Sequence, residues 1–568
     1  MMKLRLIGLC AVLLTAWTAQ AQVAKQVEVT KAYVPSLEPA TKLHIAPDMT
    51  DTTQLRPEID YTVTPLSLET SLSTRPIRPA TVTYWEFNRP QPFFLKAGIG
   101  YPLQSVLEFN ASTQNPGTGY ALGYLQHEGR FGRVKNDFGV KNYATRMMNR
   151  VGGAAGLYWG RRVVEADLNY RLRRDCRYGM YYPKGSPIPG DKLHYSDANF
   201  AVRLGDDFLN LQRFNFEVAL HGSLFMDNSD PLFELQKSNQ MDLGANLRMA
   251  RAWRSGRFDV RAAYRLMDGR KGLKGYDEQL LMAGLSYGVT RSRLLLEVGA
   301  DFYHDRIRRM EQEREAENYI LPALKMEWSL ARKALKPFVN LESGFSTNDF
   351  RSLSEENPYL LTALWGAKPT IDYDLKAGLK GSFGRDRFAY RLYVQLLHRR
   401  NHNYWVMPVL HAAMPTHYFG GWMTLCQDDL SAAGLGGELS YRPTTSLLFE
   451  VSALLRSFEE EGSLPVAQPE LTGAFGMRYE HPKFRLGVRA AVMSERAWAY
   501  VSTDAPYQVK GRFESPFAVD VQLDFEWIFS PTITGFVEGR NLANQSLYRF
   551  ANYPEYGINA LLGVKMSF

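Results

Sequence analysis

Residues 556–568, YGINALLGVKMSF, are the last stretch of the sequence, and their pattern decides its fold. Neighbouring side chains on a β-strand point to opposite faces, so the thirteen residues separate into two sets. One set is wholly apolar: Tyr556, Ile558, Ala560, Leu562, Val564, Met566 and Phe568. The other is mostly small or polar: Gly557, Asn559, Leu561, Gly563, Lys565 and Ser567. Such a strand offers one face to an apolar medium and the other to water.

The same alternation recurs along the chain from about Phe93 onward. Clear examples are 163–172, 294–303 and 517–529, where apolar residues occupy every second position. The intervening positions carry charges such as Glu165, Asp301 and Glu526, which the core of a β-sandwich would not accept. The pattern therefore predicts strands with one apolar and one wet face.

The N-terminus indicates export. Lys3 and Arg5 precede the apolar run LIGLCAVLLTAW, and Ala19-Gln20-Ala21 follows as a small-x-small cleavage site, so residues 1–21 are predicted to be a signal peptide. After residue 22 the sequence contains no stretch of about 18 apolar residues, which excludes a helical membrane protein. The net charge of +8 comes without a basic tract, so no nucleic-acid partner is expected.

The connections between strands alternate in length. Short turns are expected at 254–256, 290–292, 384–386, 442–446, 481–483 and 530–532. Long loops are expected at 305–318, 347–370, 399–430, 458–467, 496–515 and 541–555. This asymmetry is typical of an all-β transmembrane antiparallel barrel in the outer membrane of a Gram-negative bacterium. Taking 94–111 as one long first strand, we count 22 strands in residues 93–568, with both termini in the periplasm.

Residues 22–92 differ from the barrel region because they hold nine of the 29 prolines and little periodic pattern. Proline disfavours both helix and central strand, so this segment is predicted to be a periplasmic arm. The last barrel strand must pair with the first, because lipid offers no hydrogen-bond partners to the backbone of an unpaired strand edge. We expect Tyr556 and Phe568 to lie at the two ends of its lipid-facing side, with Phe568 also serving as a signal for the barrel insertion machinery.

The stretch GFVEGRNLANQSLYRFANYPEYGINALLGVKMSF resembles the last two strands of TonB-dependent outer-membrane receptors. In that family a strand ending in an Asn-Leu pair, here Asn541-Leu542, leads through a Tyr-containing loop, here with Tyr548, to a final strand that stops at Phe. The arm followed by PFFLKAGIGYPLQSVLEFNAS resembles plug-less relatives from Bacteroidetes-type bacteria. The resemblance covers about four-fifths of the chain and implies a 22-strand barrel.

The arm departs from the family pattern. The family's plug has well over a hundred residues, whereas 22–92 supplies 71, so a full plug is not expected there. The box Val27-Glu28-Val29-Thr30 resembles the short extended segment by which such receptors contact their energy-transducing periplasmic partner, by adding a strand. The same four-residue pattern also fits any extended arm.

No catalytic motif is present: G-x-S-x-G, H-E-x-x-H and the P-loop are all missing from the sequence. An enzyme site on a barrel would need Ser-His or paired acids on adjacent strands near one rim, and spacing does not reveal such adjacency. We therefore expect no enzyme, cofactor or metal, with His398, His402, His411 and His417 as surface polar residues. Cys176 and Cys426 are expected in outer loops, as two thiols or as one disulfide.

Two further features fall in expected outer loops. The apolar run Tyr404-Trp405-Val406-Met407 is expected to pack within its loop, with partner contact or closure over the mouth as alternatives. The mixed charges from Arg308 to Glu317 are expected to be solvated, with lipopolysaccharide phosphates as the alternative partner. The sequence thus predicts a transport or receptor-type pore without a full plug; the alternative is a non-conducting structural or assembly subunit of an outer-membrane complex.

Overall fold

The structure, a computed structural model, describes residues 91–568 apart from 115–116, 138, 180–191, 231–236, 310–312, 332, 362–366, 410–420, 460–461, 463 and 503–507. The predicted signal peptide, nearly all of the predicted arm and the Val27-Glu28-Val29-Thr30 box lie outside the described residues.

Twenty-two antiparallel strands form the closed wall of a barrel, as the sequence predicts. They are β1 (Phe93–Tyr101), β2 (Gln104–Ser112), β3 (Gly119–Arg130), β6 (Arg146–Trp159), β7 (Arg162–Cys176), β8 (Lys192–Asp206), β9 (Asn215–Asp227), β10 (Ser238–Trp253), β11 (Gly256–Lys271), β12 (Asp277–Arg291), β13 (Leu294–Arg308), β14 (Glu315–Trp328), β15 (Lys336–Ser346), β16 (Thr370–Phe383), β17 (Phe388–Val409), β18 (Thr424–Thr444), β19 (Leu447–Glu459), β20 (Leu471–His481), β21 (Phe484–Met493), β24 (Ala518–Ser530), β25 (Ile533–Arg540) and β28 (Asn559–Ser567).

The remaining elements lie in connections between wall strands. They are β4 (Arg133–Lys135), β5 (Lys141–Tyr143), α1 (Phe350–Glu356), β22 (Arg496–Ser502), β23 (Val509–Ser515), β26 (Tyr548–Phe550) and β27 (Tyr553–Pro554). Among the described residues, no helix is long and apolar enough to cross a membrane.

The first and last wall strands close the ring. β1 pairs with β28 from Phe94↔Ser567 to Tyr101↔Ala560. Phe93 and Phe568 exchange two backbone hydrogen bonds of 3.0 Å, and their rings stack with centroids 5.4 Å apart. Phe568 therefore lies where the sequence places it, at one end of the closing strand.

Several boundaries differ from those expected; the 305–318 loop, for example, is reduced to 309–314. Residues 94–111 form two strands, because Pro102 has no backbone N–H and the chain turns there. The last strand begins at Asn559, so Tyr556 is not on its lipid-facing side; it lies in the preceding connection and is buried. The 399–430 loop is shorter, because β17 runs on to Val409 and β18 begins at Thr424.

The connections divide the barrel into two ends. The "turn rim" carries short connections such as 160–161, 254–255, 292–293 and 531–532. The "loop rim" carries 131–145, 177–191, 347–369, 410–423, 494–517 and 541–558. Since the strand number is even, β1 begins and β28 ends at the same end, the turn rim.

The two faces of the wall follow the alternation in the sequence. Outward-facing residues such as Leu168, Ile320 and Leu562 are more than 60% exposed, as an apolar belt in lipid would be. Inward-facing residues form cross-strand ion pairs: Arg203–Glu165, Arg248–Asp259, Arg261–Asp301 and Lys565–Glu526. The wall thus separates an apolar outer belt from a charged lumen.

Candidate functional site: a cap at the loop rim

Connections at the loop rim bring together a buried aromatic cluster, here called the cap. At its centre are Tyr178, Tyr359 and Tyr553, from connections 177–191, 347–369 and 541–558. Tyr359 stacks on Tyr553 with centroids 3.7 Å apart, and Tyr178 meets Tyr553 edge-on at 5.0 Å. Other members of the cluster include Val134, Ala144, Phe350, Leu353, Leu360, Trp405, Met407, Met423, Trp498, Phe550 and Tyr556. The cap is thus one apolar core that joins connections leaving the wall at separate strands to wall residues such as Tyr195 and Phe225.

Helix α1 reaches from its own side of the barrel to a distant part of the wall. It follows β15, yet Arg351 contacts Asp197 on β8 at 2.8 Å. Arg171 on β7 contacts Asp197 at 2.7 Å and also pairs with Glu355 of α1. Seven wall strands separate β7 from β15. Since the wall residues are inward-facing, α1 lies within the lumen at the loop rim.

A second anchor holds the start of α1. Asp349 caps the helix by accepting the Ser352 backbone N–H at 2.9 Å, as N-cap carboxylates do. Arg265 on β11 contacts Asp349 at 2.7 Å and Asp242 on β10 at 2.5 Å. The backbone N–H of Arg351 donates to Gln240 on β10 at 3.0 Å. We call the anchor formed by Asp349, Arg265 and Asp242 the latch.

The latch fixes the charge of Asp349. Burial alone would raise the pKa of this carboxyl, but the Arg265 guanidinium and the Ser352 backbone N–H outweigh burial and lower its pKa to about 2. A carboxyl whose pKa is lowered on docking stabilises the docked state above its ordinary pKa, and this contribution is lost as pH falls through about 2. The shift corresponds to about 2 kcal/mol of docking free energy.

We expect acid to release α1. Between pH 4 and pH 2, cleavage by pepsin at Phe350 and Leu353 should accelerate in the folded barrel, after normalisation to cleavage of the denatured chain at each pH. Asp349→Asn should be cleaved faster than the natural chain at pH 4 and should lose most of the acceleration. Equal acceleration in both proteins would assign the acid response to other carboxyls.

The apolar run 404–407 lies on the extension of β17 and divides between two buried clusters. Trp405 and Met407 belong to the cap, while Tyr404 and Val406 pack in a second cluster with residues of β22. Val406 and Met407 are at most 1% exposed, so packing, and not partner contact, accounts for the run. Trp405 donates its indole N–H to Glu356 of α1 at 2.6 Å, and Met407 pairs with Tyr500 of β22 in parallel. The extension of β17 beyond the wall thus holds the far end of α1.

A cavity of about 420 Å³ lies between α1 and the wall. Its lining includes Arg265, Tyr303, Phe345, Asn348, Ser352 and Glu356. Tyr303 and Phe345 stack with centroids 4.5 Å apart, so one side is aromatic while the other presents amide, hydroxyl and charged groups. A small amphipathic solute fits this combination of surfaces.

The other residues identified from the sequence do not converge on a site. Tyr556 donates its hydroxyl to the Ala144 carbonyl within the cap. Cys176 and Cys426 are not joined by a disulfide. His398 bonds Ser431 and His402 packs on Tyr404, while His411 and His417 lie outside the described residues. Within the described part of the chain, no group of three or more His, Cys, Asp or Glu could hold a metal ion.

The mixed charges from Arg308 to Glu317 pair locally. Arg308 and Arg314 both contact Asp277 at the start of β12, and Arg309 contacts Glu315 at 2.6 Å. The sequence analysis missed the latch, because its partners are ordinary charged residues of alternating strands and one connection.

Comparisons with known proteins identify the fold. No protein-family model matches the sequence, and no curated protein matches it. The structure is similar to the FrpB iron transporter from Neisseria meningitidis, with 12% identity and a TM-score of 0.63 over 85% of this chain and 82% of that one. It is also similar to the copper transporter OprC, with 12% identity and a TM-score of 0.63 over 85% and 81%. A third similar structure is the ferripyoverdine receptor of Pseudomonas aeruginosa, with 12% identity and a TM-score of 0.61 over 84% of this chain and 72% of that one.

These structures are TonB-dependent receptors, so the barrel resemblance seen in the sequence is confirmed for the fold. FrpB and OprC are transporters, and the ferripyoverdine protein is a receptor. The closed 22-strand wall with its apolar outer belt is an outer-membrane architecture, which confirms the expected location.

Proposed function

We propose that the protein is a receptor-type transport barrel whose lumen is closed at the loop rim by the cap and opens when α1 undocks. The observation that carries this proposal is the docking of α1 and its capping residue inside the lumen by ion pairs with β7, β8 and β11 and by a hydrogen bond with β10. A 22-strand barrel encloses a lumen wide enough to need an occluding element. Charged contacts are suited to a movable element because water can replace them when they separate.

The cavity beside α1 supports a transport role. Arg265 contacts Asp349, the residue that caps α1, and Glu356 is the last residue of α1. Both side chains also line the cavity. A solute that bound there would compete with the latch for Arg265. Binding would therefore bias α1 towards release, because a ligand shifts an equilibrium by its differential affinity for the two states.

The proposal includes the absence of a full plug domain. Its support is the composition of residues 22–92, whose proline-punctuated pattern is unsuited to an independent core, together with the position of α1 in the lumen. Under this proposal the box Val27-Glu28-Val29-Thr30 is the arm's contact with a periplasmic or outer-membrane partner protein, and Phe568 is the contact read by the insertion machinery.

Conductance in a planar bilayer tests whether the cap or the arm closes the barrel. We expect neither the mature chain nor a version lacking residues 23–90 to carry a steady current, because the cap is present in both. A large steady pore that appears only on truncation would make the arm the occluding element and would contradict the proposal.

The alternative function is a non-conducting structural or assembly subunit of an outer-membrane complex. The aromatic core of the cap favours it. Stacked and edge-on tyrosines from three connections add stabilising contacts that would have to be broken each time the cap opened. The two functions differ in one measurable respect: the cap of a transporter must open when the ion pairs of α1 are weakened, whereas the cap of a structural subunit must stay closed.

A further inference from the structure

Three polar side chains on adjacent strands form a hydrogen-bonded chain on the outer wall. Ser105 on β2 lies with its Oγ 2.7 Å from Nε2 of His127 on β3. Nδ1 of the same ring lies 2.6 Å from Oδ1 of Asn149 on β6. Serine, histidine and an orienting acceptor in this order make up a nucleophile, a general base and the group that holds the base.

The bonding pattern fixes the tautomer of His127 and the direction of both hydrogen bonds. Oδ1 of Asn149 can only accept, so Nδ1 of His127 must carry the hydrogen. In the neutral ring Nε2 is then an acceptor, and the Ser105 hydroxyl must donate to it. This is the tautomer that a serine nucleophile requires of its base.

All three side chains face outward, towards lipid. Ser105 pairs across the sheet with Ile99, which is 68% exposed, and His127 lies opposite Leu107 and Asn149. The next outward-facing positions along the strands of His127 and Asn149 are Leu125 and Val151, which are exposed apolar residues opposite each other. The chain of hydrogen bonds is therefore continuous with the apolar belt.

The group lies near the loop-rim end of the outer wall. Ser105 is the second residue of β2, and Asn149 is the fourth residue of β6, both counted from the loop rim. Just above them, Tyr101 and Leu103 are exposed at the rim. Aromatic residues in that position mark the interface between headgroups and acyl chains, so an ester carbonyl of a membrane lipid can approach Ser105 from the side.

Two other outward-facing histidines show what an incomplete arrangement looks like. His398 bonds Ser431 at 3.0 Å through Nδ1, and His304 bonds Asn318 at 2.8 Å. Both are directly opposed cross-strand pairs near the loop rim. Neither ring bonds both a serine and an asparagine in the described part of the chain, whereas His127 does. Simple satisfaction of interfacial polar groups explains a pair, but it does not require the complete order found at His127.

Gly129, the residue opposite Ser105, is closely packed by the ring of Phe131. A Cβ at this position would lie 3.0 Å from Ser105 Oγ and 2.5 Å from the ring of Phe131. The glycine thus lets an aromatic ring approach the hydroxyl, which gives the nucleophile an apolar neighbour suited to an acyl chain.

We propose that Ser105, His127 and Asn149 form an acyl-ester hydrolase site on the lipid-facing wall, with the fatty acyl ester of a membrane lipid as substrate. Ser105 Oγ attacks the ester carbonyl while its proton passes to His127 Nε2. The ester C–O bond breaks, the leaving alcohol takes that proton, and an acyl-serine remains. Water then attacks the acyl-serine and gives a proton to Nε2; as the acyl C–O bond breaks, Nε2 returns that proton to Ser105 Oγ and the fatty acid is released. This activity is separate from the proposed transport role and uses a different surface.

The test labels the nucleophile in the full mature chain. A fluorophosphonate with a long alkyl tail is added in detergent micelles, and the adduct is located by peptide mass spectrometry. We expect one adduct on Ser105, loss of labelling in Ser105→Ala, and slowing by about 10²-fold or more in His127→Gln. Ser431→Ala is the matched control, since it removes the serine of an incomplete pair, and it should label like the natural chain.

Asn149 is a positioning residue, and its test separates orientation from folding. Asn149→Ala should slow labelling by about tenfold or more, and Asn149→Asp should restore it, because a carboxylate also accepts from Nδ1. Each variant should keep the mobility of a folded barrel on an unheated gel. Slow labelling in both Asn149 variants would mean that the side chain serves only packing.

Two lipid sources are distinguished with reconstituted vesicles. One set contains phosphatidylethanolamine with a labelled acyl chain, the other contains lipopolysaccharide, and released fatty acid is measured by mass spectrometry. Release that depends on Ser105 from either set supports the proposal and identifies the source. Labelling that persists in Ser105→Ala, or the absence of Ser105-dependent release from both lipids, would overturn it.

Discussion

Replacing residues 349–367 with a short Gly-Ser linker should convert a silent barrel into one that carries stepwise single-channel currents in a planar bilayer. The deletion removes the capping residue Asp349, all of α1, and the segment that supplies Tyr359 and Leu360 to the cap. It leaves the wall intact, because β15 ends at Ser346 and β16 begins at Thr370. The lumen side of β7, β8, β10 and β11 would then be open to water.

The control is a replacement of matched kind at the other end of the barrel. Connection 207–214 joins β8 to β9 at the turn rim, opposite the cap, so shortening it should leave the barrel silent. Cells producing the α1 deletion should also become sensitive to glycopeptide antibiotics, which are too large for ordinary porins. A silent deletion variant would mean that the remaining connections close the lumen by themselves, and it would favour the structural-subunit function.

The wall could be predicted from the sequence because its determinants are local. On β28, Leu562 and Lys565 belong to different alternating sets, and in the structure the first is exposed to lipid while the second pairs with Glu526 in the lumen. Parity alone assigns each residue to its face once a strand is recognised. The merging of β1 and β2 shows the limit, because a two-residue turn at Pro102 interrupts the ladder without interrupting the apolar alternation.

The cap could not be predicted because its contacts are between distant parts of the chain. Arg265 and Asp349 are 84 residues apart, and nothing in the local pattern of either indicates the other. The run 404–407 was expected in an exposed loop because the segment between recognisable strands is long. In the structure those residues extend β17 and are buried by β22 and α1. The length of the segment thus indicated which end of the barrel it lies at, but not that its residues extend β17 and are buried.

The Ser105–His127–Asn149 group shows the same limit in another form. Its neighbouring members are 22 residues apart along the chain at each of two steps, from β2 to β3 and from β3 to β6. Such spacing becomes informative only when the register of β2, β3 and β6 is known, because a shift of one residue would move one member to the lumen. A group of side chains on neighbouring strands can therefore be recognised from the strand register but not from a sequence motif.

Arg265→Met should weaken the latch more than any other single substitution that spares the cap's apolar core. Arg265 is the cation that faces Asp349 and Asp242, and it lies 3.9 Å from Glu278, whose carboxylate oxygens have no hydrogen-bond partner among the described residues. Removing it leaves three buried acids without this counter-charge, and breaking a buried pair in this way costs about 3–5 kcal/mol. We expect α1 to undock and the barrel to conduct intermittently at neutral pH.

The matched control is Arg203→Met, since Arg203 also forms two ion pairs on the lumen wall, with Glu165 and Glu217, but has no contact with α1 among the described residues. Conductance in Arg265→Met alone would tie opening to the latch and would support a gated transporter. Adding Asp349→Asn to Arg265→Met should partly reclose the barrel, because it removes one of the stranded carboxylates. If Arg265→Met stays silent while pepsin cleaves α1 rapidly, undocking would be shown without opening, and the cap's aromatic core would be the element that seals the barrel.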